Sequence, residues 1–205
     1  MIGAAERAGA KSMVIAGFDI GGMIAYAAAR DHAHRVVGVV VMNTVIPGTD
    51  PWTKVLSDPH IWHFAFHAIP DLPELLVTGH QDAYFDFFVN VLAGNKAAVT
   101  ARYRAAFAQA YARPEALKTG FDWYRAMQAD AKRNSRPKEI DIPMLYLRGD
   151  ADGRSPDDYL PGLQKLGAKH VTGVVLPDSG EFSPLEVPKA FVQAVSAFVK
   201  SCQAG

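Results

Sequence analysis

The sequence contains a single cysteine, Cys202, among its 205 residues. One cysteine excludes an internal disulfide framework and any zinc site built from cysteines, which is typical of a protein kept in a reducing compartment. The first residues include small and charged side chains but no apolar signal region, and no apolar run is long enough to span a bilayer. We therefore predict a cytoplasmic protein that is neither exported nor embedded in a membrane.

An excess of charge of one sign is also missing. The 21 basic and 21 acidic side chains give a formal net charge of zero. Without a basic surface or a block of like charge, we expect neither nucleic-acid binding nor attachment to an anionic membrane. Hydrophobic residues make up 49% of the chain, as in an ordinary globular domain. The expected partner is a small molecule, and we predict neither a cofactor nor a bound metal.

Two kinds of sequence follow one another along the chain. Residues 12–44 predict a strand, a turn, a helix over about Gly21–Arg30 and a second strand. Both strands are continuous apolar runs, which is typical of a parallel sheet covered on both faces. From about Trp52 to Arg136 the sequence is rich in aromatic residues, has a helical period and contains no convincing strand.

The strand pattern then returns in "IPMLYLRGDADG" and "VTGVVLPDSG", and "VPKAFVQAVSAFVKS" predicts a closing amphipathic helix. The order of these elements predicts an α/β fold with a mostly parallel sheet and flanking helices. Its core comprises residues 1–50 and 137–205, and residues 51–136 form a helical insertion. Acids follow three of the predicted strands, namely Asp19, Asp152 and Glu181. Ligands of such sheets bind at the carboxyl ends of the strands, so we expect the site there.

The segment Gly17-Phe18-Asp19-Ile20-Gly21 has the G-x-nucleophile-x-G form of a nucleophile elbow. Glycines on both sides let a strand reverse sharply into a helix, whose N-terminus favours a negative charge on Asp19. A carboxylate at this position is suited to displacing a leaving group at a saturated carbon, which leaves an ester that water must hydrolyse. The alternative is that Asp19 merely caps the helix.

Three stretches of sequence carry a family resemblance: "GFDIGGMIAYAAARDHAHRVVGVVVMNTVIPGTDPW", "PHIWHFAFHAIPDLPELLVTGHQDAYFDFFV" and "GFDWYRAM". They resemble the epoxide hydrolase and dehalogenase branch of the α/β-hydrolase superfamily, and bacterial epoxide hydrolases in particular. The resemblance implies a partial α/β-hydrolase fold in which residues 51–136 are a helical cap over the active site. It also implies that Asp19 is the nucleophile, that Asp152 is the family acid and that the Ile20 N–H is an oxyanion donor. Tyr124 matches a cap tyrosine that protonates the epoxide oxygen as the ring opens.

Other cap residues are candidates for contact with the substrate. His63, His67 and Tyr84 are alternatives for a second cap donor, although each also fits a packing role in an aromatic segment. Trp123 is a candidate for the pocket wall. Phe64 stands where fluoroacetate dehalogenases of this branch carry a tryptophan that binds halide. Because phenylalanine has no N–H donor, Phe64 argues against fluoride release.

Glu181 in "DSGEFSPLEVP" departs from the family, which has a histidine as general base at this position. A carboxylate with a pKa of about 4.3 is a weaker base at neutral pH than an imidazole of about 6.5. Repulsion from Asp19 and Asp152 would raise that pKa. Glu181 is then either a slow base or no base at all, and we expect severe impairment of hydrolysis. A weaker alternative is that the three acids bind calcium or magnesium.

The start of the sequence also departs from the family pattern. Family members place several strands and a second oxyanion donor before the elbow strand, whereas here only a short helix is predicted before it. Losing that donor should slow ester hydrolysis by about 3 kcal/mol. We expect a truncated form of the fold, whose first strand near Met13–Gly17 exposes an apolar edge that invites formation of a homodimer.

The predicted function is hydrolysis of a small apolar electrophile, an epoxide or a related compound, with the hydrolytic step impaired. A haloalkane or haloacid dehalogenase is the alternative enzyme. A third alternative is a descendant without catalytic activity that keeps the apolar pocket to bind a small molecule. Because this sequence departs from the family pattern at Glu181 and before the elbow strand, we retain both an impaired enzyme and a protein without catalytic activity as predictions.

Overall fold

A computed structural model describes residues 2–204 of the chain. Its four strands form one sheet in the order in which they occur, and every neighbouring pair is parallel. The strands are β1 (Met13–Phe18), β2 (Val36–Met42), β3 (Met144–Gly149) and β4 (Val171–Leu176). This arrangement confirms the predicted parallel sheet with flanking helices.

The helices fall into three groups along the described chain. The first group, around β1, comprises α1 (Ile2–Arg7) and α2 (Ile20–Asp31). The second group lies between β2 and β3 and comprises α3 (Trp52–Leu56), α4 (Trp62–Ala68), α5 (Leu72–Val77), α6 (Gln81–Leu92), α7 (Ala101–Ala110) and α8 (Pro114–Asn134). The third group comprises α9 (Leu160–Lys165), α10 (Ser183–Glu186) and α11 (Pro188–Ala204). No helix of residues 2–204 combines the length and the apolar character needed to cross a membrane.

The central strands β2 and β3 are apolar apart from Arg148 of β3, because helices cover both faces of the sheet. Alternate residues of a strand point to opposite faces. Val39 and Val41 pack in the same core cluster as Ala25 and Ala29 of α2. Val40 and Met42 pack in a second cluster with Phe191, Val195 and Phe198 of α11. The sheet is therefore the middle layer of three.

Strand β1 lies at an edge of the sheet. Within residues 2–204 it pairs only with β2, and Ala16 in its centre is exposed. An unpaired strand edge offers backbone donors and acceptors to another strand. Association of two copies through this edge stays a prediction.

The segment between β2 and β3 is helical, as the sequence predicts, with α4 packed on α8 and α6 packed on α7. Hydrogen bonds connect the C-terminal end of this segment to α2. The guanidinium of Arg30 in α2 donates to the carbonyl oxygens of Arg133 and Arg136 at 3.2 and 3.3 Å. The division into a core and a cap at residues 51 and 136 stays a prediction.

Candidate active site

A cavity of about 800 Å³ lies between the carboxyl ends of the strands and the helices of residues 52–134. Polar residues that follow the strands line one side of it, and these are Asp19, Asn43, Arg148, Asp152 and Glu181. Aromatic residues of the helices line the other side, and these are Phe64, Phe85, Phe88, Phe107, Tyr111, Phe121, Trp123 and Tyr124. A large apolar cavity with a few converging polar groups is the usual form of a small-molecule site.

Asp19 occupies the turn between the end of β1 and the start of α2. Its backbone has φ 51° and ψ −126°, a combination that a residue with a side chain rarely adopts. Asp19 stands at the N-cap position of α2, but its side chain makes no capping hydrogen bond there, which argues against a role confined to capping. The carboxylate instead lines the cavity, as expected for the tip of a nucleophile elbow.

Gly17 makes this sharp turn possible. A Cβ atom added at Gly17 would lie 1.8 Å from the carbonyl oxygen of Gly21 and 2.6 Å from the backbone nitrogen of Gly22. A Cβ atom at Gly21 would meet nothing within 4 Å, so the expectation that the turn requires glycine there is wrong. The second close approach is at Gly22, where a Cβ atom would lie 2.8 Å from Cγ2 of Thr44.

Two opposing effects set the charge of Asp19. Burial raises the pKa of its carboxyl to about 6, and a hydrogen bond from the backbone N–H of Ile20 limits that rise. The anion therefore predominates above about pH 6 and faces the cavity. The Ile20 N–H, predicted as an oxyanion donor, stabilises the carboxylate itself in this structure.

Asn43 holds the loop that carries Glu181. Its amide nitrogen donates to the carbonyl oxygens of Gly180 at 3.1 Å and Glu181 at 2.8 Å, and to the hydroxyl oxygen of Ser183 at 3.0 Å. Its amide oxygen accepts from the N–H of Gly149 at 3.0 Å. Through this one buried side chain, the end of β2 positions both the end of β3 and the loop after β4.

Glu186 of α10 fixes the same loop from the other side. Its carboxylate accepts from the N–H groups of Asn95, Gly180 and Phe182 at 2.6, 3.1 and 2.9 Å, and the residue is buried. These bonds satisfy three backbone donors that would otherwise lack partners. The backbone on either side of Glu181 is thus fixed by hydrogen bonds to Asn43 and Glu186.

Replacing Glu186 by glutamine is expected to lower the free energy of unfolding by about 1–3 kcal/mol. The amide keeps one acceptor oxygen but turns an NH₂ group toward backbone N–H donors, which leaves buried donors unpaired. Urea unfolding measures the change. The matched control is Glu115→Gln at the exposed start of α8, expected to change stability by less than about 0.5 kcal/mol. Equal losses in the two variants would contradict this role of Glu186.

The side chain of Glu181 faces the cavity without a close cationic partner. Within residues 2–204 its carboxyl group forms no ion pair within 4 Å, and no hydrogen bond to it is found. Burial raises its pKa well above the usual range, with a further rise from the negative charge of Asp19 and a partial opposing effect of Arg148. The predicted rise in pKa is confirmed, although burial contributes more than repulsion.

Asp152 contacts two arginines. It forms ion pairs with the guanidinium groups of Arg148 and Arg154 and accepts a hydrogen bond from the Arg154 backbone N–H at 3.0 Å. Arg148 is buried at the end of β3, with its guanidinium carbon 4.9 Å from the ring centroid of Tyr159. The negative charge of Asp152 is therefore partly balanced by two arginines, and it still contributes to the raised pKa of Glu181.

The three predicted acids do not form a metal site. Among residues 2–204, no group of three or more histidine, cysteine, aspartate or glutamate side chains is arranged to hold a metal ion. The alternative of a calcium or magnesium site therefore has no support in the geometry. Of the two acids in the loop Gly149-Asp150-Ala151-Asp152, Asp152 lines the cavity and Asp150 is not among the lining residues.

Two tyrosines line the same cavity as Asp19. Tyr124 of α8 and Tyr111, just after α7, both line the cavity, and burial together with the charge of Asp19 raises the pKa of each hydroxyl. Both are therefore protonated donors at neutral pH. Tyr111 was not among the site residues predicted from the sequence. Gly120 leaves space for the ring of Tyr111, since a Cβ atom at Gly120 would lie 2.8 Å from that ring.

Residues 2–194 match the Alpha/beta hydrolase family, which is 193 of the 205 residues of the chain. The chain belongs to the alpha/beta hydrolase family. The superfamily resemblance inferred from the elbow and the helical segment is thereby confirmed. Comparison with curated proteins gives no match.

Solved structures of similar fold accompany this family match. Cfl2 from Burkholderia cenocepacia is 26% identical, with a TM-score of 0.84 over 95% of this chain and 68% of that protein. The Cif epoxide hydrolase from Acinetobacter nosocomialis is 21% identical, with a TM-score of 0.78 over 96% of this chain and 64% of its own. The epoxide hydrolase CorEH is 19% identical, with a TM-score of 0.79 over 97% and 71%. At 21% and 19% identity, these two epoxide hydrolases show that the fold is shared.

In this alpha/beta hydrolase the helical residues predicted to contact the substrate differ in whether they line the cavity. His63, Phe64, His67 and Trp123 line the cavity, whereas Tyr84 is not among the lining residues. The hydroxyl of Tyr84 lies 2.5 Å from Nε2 of His67, which favours the alternative of a packing role for Tyr84 over direct contact with a ligand. Its ring packs behind that histidine because Phe66 and Phe85 enclose it.

The two cavity histidines are neutral. Burial lowers the pKa of His63 to about 4, and burial with the nearby charges lowers the pKa of His67 to about 3. Nδ1 of each ring is buried without a hydrogen-bond partner among the described residues. The rings pack edge to face against Tyr124, with centroids 6.0 and 4.3 Å away. They therefore orient the phenol of Tyr124 and add no charge to the cavity.

Proposed function

We propose that this alpha/beta hydrolase opens epoxides by attack of the Asp19 carboxylate on a saturated carbon, and that it hydrolyses the resulting ester slowly. The observation that supports this proposal is the position of Asp19. It lies at the tip of the elbow, makes no capping hydrogen bond and faces a cavity of about 800 Å³ that Tyr124 also lines. Two solved structures of similar fold are epoxide hydrolases.

The walls of the cavity fit an apolar substrate. Phenylalanine, tyrosine and tryptophan rings from α4, α6 and α8 form most of its surface on the side opposite Asp19. Such rings bury apolar surface without competing for the polar groups at the reacting carbon. We propose that the substrate is a small epoxide with an apolar substituent.

The first step requires an anionic nucleophile and a proton donor for the ring oxygen. Asp19 is anionic above about pH 6, and the hydroxyls of Tyr111 and Tyr124 stay protonated because their pKa values are raised. A phenol that donates a hydrogen bond to the epoxide oxygen stabilises the negative charge that develops as the ring opens. The cavity brings these groups together.

The second step, hydrolysis of the ester on Asp19, is expected to be slow. The loop position that holds histidine in the resembling enzymes carries Glu181, and the neutral His63 and His67 pack on the opposite side of the cavity. A carboxylate is a poorer base than an imidazole at neutral pH, so the ester on Asp19 is expected to accumulate. Halide release is less favoured because Phe64 offers no N–H donor to a halide ion.

Incubation with styrene oxide followed by intact-protein mass spectrometry tests this proposal. We expect a covalent adduct of one substrate mass, because attack on carbon is faster than hydrolysis of the ester. The matched control is Asp19→Asn, which keeps the size of the side chain but removes the anionic nucleophile and should show no adduct.

Three other outcomes would contradict parts of the proposal. Diol formation without an adduct would mean that hydrolysis is fast. Neither adduct nor diol would favour a protein that only binds small molecules. Release of chloride from 1-chlorobutane, without any reaction of styrene oxide, would favour a dehalogenase.

A further inference from the structure

We propose that Glu181 acts twice: its carboxyl group supplies the proton for epoxide opening, and its carboxylate then takes a proton from the hydrolytic water. This inference rests on the proposed function and gives Glu181 a role in the first step that the histidine it replaces does not suggest. The supporting geometry is the presence of Asp19, Glu181 and Tyr124 on the wall of one cavity.

The surroundings place the negative charge on Asp19 and the proton on Glu181. Asp19 receives the N–H of Ile20 at the start of α2, where the helix dipole also favours an anion. The carboxyl of Glu181 has neither a hydrogen-bond donor nor an ion-pair partner within 4 Å among residues 2–204. When two buried acids share a site, the one with the better donors ionises first.

The charged and titratable groups around Glu181 support the same distribution. They are Asp19 after β1, Tyr146 and Arg148 on β3, Asp152 in the loop after β3, Glu186 on α10 and Tyr124 on α8. Three of these are acids that disfavour a second anion. Arg148, the nearby cation, is paired with Asp152, so its effect on Glu181 is partly cancelled. Both tyrosines are neutral.

In the first step, an oxygen of the Asp19 carboxylate forms a bond to an epoxide carbon, and the bond from that carbon to the ring oxygen breaks. The electron pair of the broken bond stays on the ring oxygen. That oxygen takes the proton of Glu181, directly or through the hydroxyl of Tyr124. The products are a 2-hydroxyalkyl ester on Asp19 and a carboxylate on Glu181.

Formation of the ester changes the charge around Glu181. The ester is neutral, so the repulsion from Asp19 that disfavoured the Glu181 anion is gone. The carboxylate now takes a proton from water as the water oxygen bonds to the ester carbonyl. Collapse of the tetrahedral intermediate expels the diol oxygen, which takes the remaining water proton. Asp19 returns as a carboxylate and Glu181 as an acid.

Two alkylating probes with the same carbon skeleton test this order of events in the unmodified protein. Opening styrene oxide needs a proton, whereas displacement of bromide from 2-phenylethyl bromide does not. For both probes the rate of reaction should rise as the pH increases through about 6, because Asp19 ionises. Only the styrene oxide rate, measured as adduct plus diol, should fall again at higher pH, because Glu181 loses its proton.

Variants of Glu181 identify the group responsible for the decrease in the styrene oxide rate at higher pH, which is the falling limb of the pH profile. In Glu181→Gln the falling limb should disappear, and the ratio of styrene oxide to bromide rates near pH 7 should drop by about tenfold or more. In Glu181→Asp, which keeps an acid, the falling limb should persist. A falling limb that survives in Glu181→Gln, or identical pH profiles for the two probes, would overturn the inference and leave the proposed function standing. No Asp19-dependent adduct with either probe would overturn both.

Discussion

Glu181→His is expected to shorten the lifetime of the ester on Asp19 by about ten- to a hundredfold at pH 7. An imidazole with a pKa of about 6.5 takes a proton from water more readily at this pH than a carboxylate does. The loop position is correct for this function because Asn43 and Glu186 hold the backbone around residue 181. Those bonds involve backbone atoms, so the substitution leaves them intact.

The gain should stay below the full effect of a general base, which is about 10²–10⁴-fold. In the resembling enzymes an acid orients the histidine, and here the matching Asp152 is engaged by Arg148 and Arg154. The new imidazole therefore lacks a free carboxylate partner. Opening of the epoxide should become slower in this variant, because it lacks the acid that we infer for ring opening.

Single-turnover mass spectrometry separates the two steps. The protein is loaded with styrene oxide, excess reagent is removed, and the disappearance of the adduct is followed with time. Glu181→Gln is the matched control, because it has neither a base nor an acid and should keep its adduct for longest. A folded Glu181→His variant whose adduct is as long-lived as that of the unmodified protein would contradict the assignment of Glu181 to the position of the base.

The arrangement of the sheet could be predicted because its strands are marked by local sequence. The apolar runs of β2 and β3 have no polar alternation, and both strands are indeed buried on both faces. The helix after Asp19 could be predicted from its alanine-rich sequence and the glycines before it. These signals act over a few residues, so they are readable without knowledge of tertiary contacts.

Asp19, Asp152 and Glu181 could be placed at the site because strand ends in a parallel sheet meet at one edge, and Tyr124 could be placed there through the family resemblance. The sequence pattern could not assign the partners of these residues. Arg148 sits inside an apolar strand, and its burial depends on Asp152 and on the Tyr159 ring. The predicted effect of Asp152 on the pKa of Glu181 is confirmed, but the sequence pattern does not reveal the arginines that partly balance its charge.

Tertiary hydrogen bonds explain the other differences. Asn43 and Glu186 bond to backbone groups up to 138 and 91 residues away in the sequence, and such contacts leave no local pattern. Tyr84 and Tyr111 both belong to the aromatic-rich helical segment, but only Tyr111 lines the cavity. Helical period alone does not distinguish an aromatic residue on the cavity wall from one packed behind it.

Gly17→Ala is expected to lower the free energy of unfolding by about 4 kcal/mol or more, near the upper end of single-residue effects. The added methyl carbon would lie 1.8 Å from the carbonyl oxygen of Gly21 and 2.1 Å from its carbonyl carbon. These are backbone atoms in the first turn of α2, so no side-chain rotation relieves the contact. Either β1 or α2 must move, and the cavity position of Asp19 depends on both.

Gly21→Ala is the matched control at the other glycine of the elbow. A methyl group there meets nothing within 4 Å, and alanine favours the helical backbone by about 0.5–1 kcal/mol. Thermal unfolding of both variants measures the difference. For a chain of this size, a loss of 4 kcal/mol corresponds to a decrease in Tm of about 8–16 °C. If both variants lose the same stability, the close approach of Gly17 to α2 is not what makes the elbow turn.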